Sequence, residues 1–531
     1  MKRTPTHLTL LPLAMVTPLL LAACSVDEPE APPPTQDLVF PAFGSSSSPS
    51  GRGSFRFGAA TSSTQTEDQN EHSNWYLWTA PEPEGLGKGE FVGEASRGYS
   101  LSLQDVDLVE ALHLDSYRFG VEWARVEPQR NAVDEEALAH YGQRLDALVE
   151  RGIRPMVLVH HLSLPVWVDD PRDPACAAGP SDMNLCGLDH PEGAALVEAE
   201  LVEHARLLAT RFGDRVDDWG TLNEPMAYLL YAYGVAIFPP GKTHLITDFQ
   251  GKFIPVIRNA LSLHAAVYRA IKEADQIDAD GDGVAASVGL PHSMQDYVPV
   301  RDGQLSDAPE DSAALDRFRW FFELAFVDAL VQGSFDSDMD GDLDEPHPEW
   351  QGTLDWLGLQ LYSRMGVSST PPMFPVIGVN LCSGPMCVPP LDPTFVVASM
   401  GYESSPGGLG SLLSFVGQRW PELPLLVTES GIATEVGARR AEMIVRALEG
   451  IHHAREEGID VRGYYHWSLL DNFEWHLGFT PRFGLYRVDY DTYERTPTEG
   501  ALVLGDVAQS RRITPEQRSR YGGEGPMTPE P

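Results

Sequence analysis

Eight short runs rich in β-branched and aromatic residues, separated by stretches of helical spacing, leave this chain very few architectures. The runs are Phe55–Ala60, Ser116–Val121, Arg154–His161, Asp217–Leu222, Ala286–Leu290, Trp356–Leu361, Pro424–Thr428 and Gly463–Ser468. Between them apolar residues recur every three or four positions, as from Leu138 to Val149 and from Val197 to Phe212. That is the period of a helix with one buried face. We read no antiparallel hairpin signal between the runs. Eight strands alternating with helices predict an α/β protein with a closed parallel sheet, a single (β/α)8 TIM barrel. The chain has 531 residues, well beyond the about 250 of a minimal barrel, so long βα loops are expected.

Two glutamates end apolar runs inside short polar signatures. Glu224 lies in Thr221-Leu222-Asn223-Glu224-Pro225 after the fourth run, and Glu429 in Val427-Thr428-Glu429-Ser430-Gly431 after the seventh. The C-terminal ends of barrel strands are where such folds keep their reacting groups. Two carboxyl groups on different strands are what glycoside hydrolysis needs, one to donate a proton and one to act as nucleophile or base. A single glutamate carries little information, because most lie on solvated faces.

The formal net charge of −39 argues against nucleic acid or an anionic membrane surface as a partner, since both would repel it. Only Lys2, Lys88, Lys242, Lys252 and Lys272 are lysines, so arginine carries most of the positive charge. The acidity reads as solubility.

The first residues read as an export signal. Lys2 and Arg3 precede an apolar stretch from Leu8 to Ala23, too short and wrongly flanked for a membrane span. Leu21-Ala22-Ala23-Cys24 resembles a bacterial lipobox, which implies cleavage before Cys24 and lipid on its thiol. Ser25 in place of Asp favours the outer membrane by the sorting pattern of such proteins. We therefore divide the chain into a signal (1–23), a disordered linker (24–54), the barrel (55–510) and a polar tail (511–531). The linker rests on Glu28-Pro-Glu-Ala-Pro-Pro-Pro34 and the Ser45–Ser48 run, which cannot bury a core.

Export permits disulfides. Besides Cys24 there are Cys176, Cys186, Cys382 and Cys387, for which three pairings exist. The local one, Cys176–Cys186 with Cys382–Cys387, is the simplest. Zinc is disfavoured, because neither pair has CxxC spacing.

From Phe55 to about Pro497 the chain resembles family 1 of the glycoside hydrolases, the retaining β-glucosidases and β-galactosidases. The resemblance rests on several separate motifs: Phe57 to Gln65, Tyr117-Arg118-Phe119 with Glu122-Trp123, His160 to Pro165, Thr221 to Pro225, Val427 to Gly431, and Trp467 to Trp475 followed by Arg482-Phe483-Gly484. It implies that Glu429 is the nucleophile and Glu224 the acid/base. It implies that Arg118 and Tyr362 hold the nucleophile, and that Asn223 meets the sugar 2-hydroxyl. Gln65, His161, Glu474 and Trp475 would hold other hydroxyls, Trp467 would face the pyranose, and Tyr402 would form a platform for the leaving group. The carboxylate of Glu474 is absent from the 6-phospho-glycosidase branch, so its presence favours an unphosphorylated sugar. Leu162, Ser430 and Gln360 depart from the family pattern without removing a reacting group.

No cofactor is expected for catalysis, and the expected partner is a small β-glycoside or oligosaccharide. Two acidic turns stand apart: Asp278-Ala-Asp280-Gly-Asp282-Gly283 and Asp336-Ser-Asp338-Met-Asp340-Gly341. Each matches the first half of a calcium loop but lacks the closing glutamate. Both precede strands, so either would hold a structural calcium, or stand as a solvated turn, on the face away from the reaction. Two other functions share this pattern: a transglycosylase, and a carbohydrate-binding barrel without activity. Retention of both carboxylates separates the enzyme from the last.

Overall fold

The computed structural model describes residues 34–43, 54–370, 372–382 and 388–530. Cys24, the signal and most of the linker lie outside them, as does Cys387. Eight parallel strands close on themselves: β1 (Arg56–Ala60), β2 (Ser116–Gly120), β3 (Arg154–His160), β4 (Asp218–Leu222), β5 (Ser287–Ser293), β6 (Trp356–Gln360), β7 (Leu425–Ser430) and β8 (Val461–Trp467). Each pairs with its neighbour in sequence, and β8 pairs with β1 in register, Trp467 opposite Ala60. Every residue of seven of these strands is buried, and in β3 only Arg154 is not. That explains why they read as continuous apolar runs, since barrel strands are covered by core on one side and helices on the other. The two helices singled out from spacing are present as Glu135–Glu150 and Gly193–Phe212.

The bottom of the barrel is closed by charge. Arg56, fully buried at the start of β1, holds Asp218 at the start of β4 at 2.5 Å. A buried pair of this kind holds only while both partners are present.

Four expectations change. β5 runs on through Pro291 to Ser293 rather than stopping at Leu290, and Pro291 sits opposite Gly358. Proline reads as a strand breaker, and here the strand continues past it.

Second, antiparallel structure is present after all. Asp296–Arg301, Gln304–Leu305, Ser363–Ser368, Asn380–Cys382, Val396–Val397 and Tyr402–Ser404 form an accessory sheet above the barrel. One hairpin turns at Asp302-Gly303, both left-handed at φ 52° and 74°, the chemistry of a tight two-residue turn.

Third, the chain-end segments are not all loose. Leu38–Val39 pairs antiparallel with Arg512–Ile513, and Phe40 is buried against Phe55, their rings 4.8 Å apart. Arg511 reaches Asp115 and the carbonyl of Pro41. Residues 38–40 and 511–513 therefore belong to the folded body, and a helix follows at Pro515–Tyr521. A two-residue ladder between distant segments is too short to produce a periodic pattern.

Fourth, the first acidic group is Asp217, Asp278 and Asp280, with oxygens within 4.8 Å of one another, and Asp282 is not part of it. Asp282 accepts instead from the N–H of Val284 at 2.8 Å. Arg154 already pairs with Asp280, which brings a positive charge to that turn. The second group is Asp336, Asp338 and Asp340, as expected. The first turn lies at the N-terminal end of β4, as expected. The second does not share that place: Asp336 accepts from the indole of Trp320 at 2.7 Å, between Phe318 and Phe322 on the helix that lines the cavity described below. Cys176 and Cys186 are joined, their Cα atoms 5.6 Å apart, and Cys382 is disulfide-bonded. Among the described residues no helix is long and apolar enough to cross a membrane.

Candidate active site

At the C-terminal ends of the strands lies a cavity of 420 Å³, within the usual range for a small-molecule site. Glu224, from the end of β4, and Glu429, on β7, both line it. The chain leaves β4 through Glu224 itself, in left-handed backbone at φ 43°, ψ 56°, just before Pro225 opens a helix. Such a conformation is uncommon for a non-glycine residue and concentrates at functional sites. It is pinned by the Glu224 N–H, which donates to the carbonyl of Pro291 in β5 at 2.9 Å.

Glu429 is held at both oxygens. Arg118 donates to one at 2.6 Å and the Tyr362 hydroxyl to the other at 2.6 Å. Burial is the largest influence and holds its carboxyl above the usual range, while Arg118, Tyr362 and Gln360 oppose it. Glu224 has less support. Burial first, then the charge of Glu429, pushes it up to about 8, against a weaker hydrogen bond from Ser293. Glu429 is thus the group that ionises and Glu224 the group that keeps its proton. Glu474 is also pushed up to about 8, by burial and by Glu429, with Gln65 acting the other way.

A hydrogen-bonded chain fixes the neighbours. The Asn223 carbonyl oxygen accepts from Arg118 and from Gln360 Nε2 at 2.9 Å. Its amide nitrogen therefore faces His161 Nε2, 3.1 Å away, and donates to it. His161, whose pKa is held well below the usual histidine range by burial and by Arg118, is then neutral with its proton on Nδ1. That nitrogen, Gln65 Oε1 and the Tyr402 hydroxyl are buried without a hydrogen-bond partner among the described residues. Buried polar atoms are rarely left unpaired. These three residues line the cavity, so the structure offers a donor, an acceptor and a hydroxyl to whatever enters. Sugar hydroxyls both donate and accept.

All the predicted sugar contacts except Arg118 line the cavity: Gln65, His161, Asn223, Tyr362, Tyr402, Trp467, Glu474 and Trp475. Arg118 is fully buried beside it, behind Glu429. Leu162 also lines the cavity, where an indole is usual in the family pattern, and its carbonyl takes the Trp75 N–H at 2.9 Å. Gln360, substituting for Asn, reaches Asn223 with its longer side chain.

Sequence reading missed Ser293, Gln295 and the apolar wall of Tyr231, Phe318, Phe322, Met365, Leu381 and Met400. Most come from the accessory sheet and its helix. The Asp302-Gly303 turn is the signal that pointed there.

Residues 49–513 match the model of glycosyl hydrolase family 1. The chain belongs to this family. It is 29% identical to a β-galactosidase of Pyrococcus woesei, over 87% of this chain and 97% of that protein. It is 28% identical to a coniferin β-glucosidase of Pinus contorta, over 82% and 87%. The fold matches the solved β-glycosidase of Pyrococcus horikoshii with a TM-score of 0.74 at 29% identity, covering 93% of this chain and all of that one. The β-glycosidase of Thermosphaera aggregans matches with a TM-score of 0.73 at 26% identity, covering 87% of this chain and 98% of that one. The protein is a retaining β-glycosidase of family 1, a class that needs no cofactor for its chemistry.

The protonation pattern has a pH consequence. A general acid must hold its proton, so kcat/KM should fall as pH rises through about 8, the value to which Glu224 is pushed. In the wild type that alkaline limb should be marked on 2-phenylethyl β-glucoside and weak on 2,4-dinitrophenyl β-glucoside, whose leaving group needs no proton. Glu224→Gln should keep its kcat/KM only on the latter. Rate–pH profiles of the two proteins check this.

Proposed function

We propose that Glu429 and Glu224 cleave small unphosphorylated β-glucosides and β-galactosides by double displacement. The observation that carries the reading is the asymmetry of the pair, one carboxylate gripped by Arg118 and Tyr362 and the other pushed up to about 8. In the first step a Glu429 oxygen bonds to the anomeric carbon as the glycosidic C–O bond breaks, and Glu224 gives its proton to the departing oxygen. Esterification removes the charge of Glu429. One of the influences raising Glu224 then disappears, so Glu224 becomes the stronger acid and, ionised, the base that the second step needs. Water adds to the anomeric carbon, its proton passes to Glu224, and the bond to Glu429 breaks. The β-galactosidase and β-glucosidase names of the relatives support a sugar of this size. A phosphate on the sugar would meet the carboxyl of Glu474.

Two variants test the roles. Glu429→Ala should lose at least about a thousandfold in turnover and, with added azide, yield the α-glycosyl azide. Azide on Glu224→Ala should yield the β-azide. NMR of the products decides.

The same reading extends to location: an exported protein held to the cell envelope, at the outer membrane, by lipid on Cys24. Its support is the charged start, the apolar run, Leu-Ala-Ala-Cys and the Cys176–Cys186 disulfide, which belongs to an oxidising compartment. Cys24→Ser should move the protein from the membrane to the soluble fraction of cells. An unchanged distribution on fractionation would contradict the anchor.

A further inference from the structure

Behind the wall that carries Tyr402 runs a segment, residues 525–530, that none of the chemistry above uses. Met527 is only 2% exposed and belongs to the apolar cluster of Phe395 and Val397, against which Met400 and Tyr402 pack. Its N–H donates to Thr394 Oγ1 at 2.8 Å. On the other side the segment is held by one helix, Gly437–Glu456. Thr528 gives its N–H and its hydroxyl to the two oxygens of Glu442, at 2.8 and 2.6 Å. Arg446 donates to the Gly525 carbonyl at 2.7 Å. Arg439 reaches both layers, donating to the carbonyls of Thr528 at 3.3 Å and Val396 at 2.9 Å.

The path from there to the cavity is short. Val396–Val397 pairs antiparallel with Tyr402–Ser404, Val397 directly opposite Tyr402. The N–H groups of Met400 and Gly401 both donate to the Val397 carbonyl, at 3.1 and 2.9 Å. A shift of residues 394–397 must therefore move Met400 and Tyr402, which line the cavity. The sugar-facing Trp467 shares the same apolar cluster, but its backbone is fixed in the barrel against Ala60. Among the described residues the wall at 394–402 has no pairing with the barrel sheet itself. Tyr402–Ser404 is held on one side by Ser363–Ser368 and the Arg364–Glu403 pair, and the segment supports the 394–397 side.

We infer that residues 525–530 form a positioning strap for the leaving-group side of the cavity, with Met527 as the residue that sets it. The inference rests on the proposed reading of the Tyr402 side as the site of the leaving group. The strap acts on the part of the substrate that departs, and leaves the sugar contacts of Gln65, Asn223 and Glu474 where they are.

Steady-state kinetics of the full chain on two substrates separate these effects. In β-glucosyl fluoride the leaving group is a single atom, while in 2-phenylethyl β-glucoside it spans the wall. Met527→Ala should lower kcat/KM for the phenylethyl glucoside about tenfold and leave the fluoride within about twofold, because small misplacements of a positioning group are costly only for what it positions. Met527→Leu, of similar volume, should restore the ratio. Thr528→Val, which removes the hydroxyl that the strap gives to Glu442, should shift the ratio the same way should Met527→Ala fold poorly. Equal losses on both substrates, or no loss on either, would overturn the strap. A wild-type enzyme active on the fluoride but not on the phenylethyl glucoside would overturn the leaving-group reading of the Tyr402 side, and the strap with it. Activity on neither would overturn the proposed function itself.

Discussion

Three glutamate side chains, Glu224, Glu429 and Glu474, share one desolvated cavity, and a guanidinium touches one of them. At the separation a retaining mechanism requires, about 5 Å, two negative charges at an effective dielectric of 20 repel by about 3 kcal/mol. That is worth more than two pKa units, so full ionisation of all three is strongly disfavoured. The position of Arg118 decides which one is charged. It lies 2.6 Å from Glu429, and the two remaining carboxyls are pushed up to about 8. The assignment of acid and nucleophile follows from where one buried arginine stands.

Arg118 can stand there because the barrel presents four strand ends to one point. It comes from β2, Asn223 from the end of β4, Gln360 from β6 and Glu429 from β7. The Asn223 oxygen takes two donors, from Arg118 and Gln360, and in doing so orients its own amide toward His161. One side chain thus passes the geometry of the charged pair to His161, a proposed sugar contact. Glu122 does related work one layer out. It accepts from Ser63 at 3.2 Å and Thr64 at 2.8 Å after β1, and from Ser163 at 3.2 Å after β3. These bonds hold the segments bearing Gln65 and His161. Rigid support of this kind is what keeps a site near its productive geometry.

The barrel and the placing of Glu224 and Glu429 at strand ends were legible in the sequence because both are local. Each strand is a continuous buried run, and each glutamate follows one directly. Ser293 was hidden by Pro291, since a proline argues for a strand end and here does not make one. The accessory sheet was hidden because its strands are short and interrupted, and its strongest sign, Asp302-Gly303, is a single dipeptide. The folded part of the final segment was hidden for a different reason. Its composition is polar, and its buried apolar residues, Ile513, Tyr521 and Met527, do not recur with the period of a helix or a strand. Burial there comes from contacts with residues far away in the chain, such as Thr394 and Glu442, and local pattern carries no trace of those.

The central claim is that Glu429, and not Glu224 or Glu474, bonds to the sugar. A 2-deoxy-2-fluoro-β-glucosyl fluoride slows both steps, yet its good leaving group lets the first outrun the second, so the covalent species accumulates. Mass spectrometry of a peptic digest then locates the added sugar. The account predicts a single labelled peptide containing Glu429, with activity lost in step with labelling. A label on a peptide containing Glu224 or Glu474, or time-dependent inactivation with no covalent adduct, would contradict it.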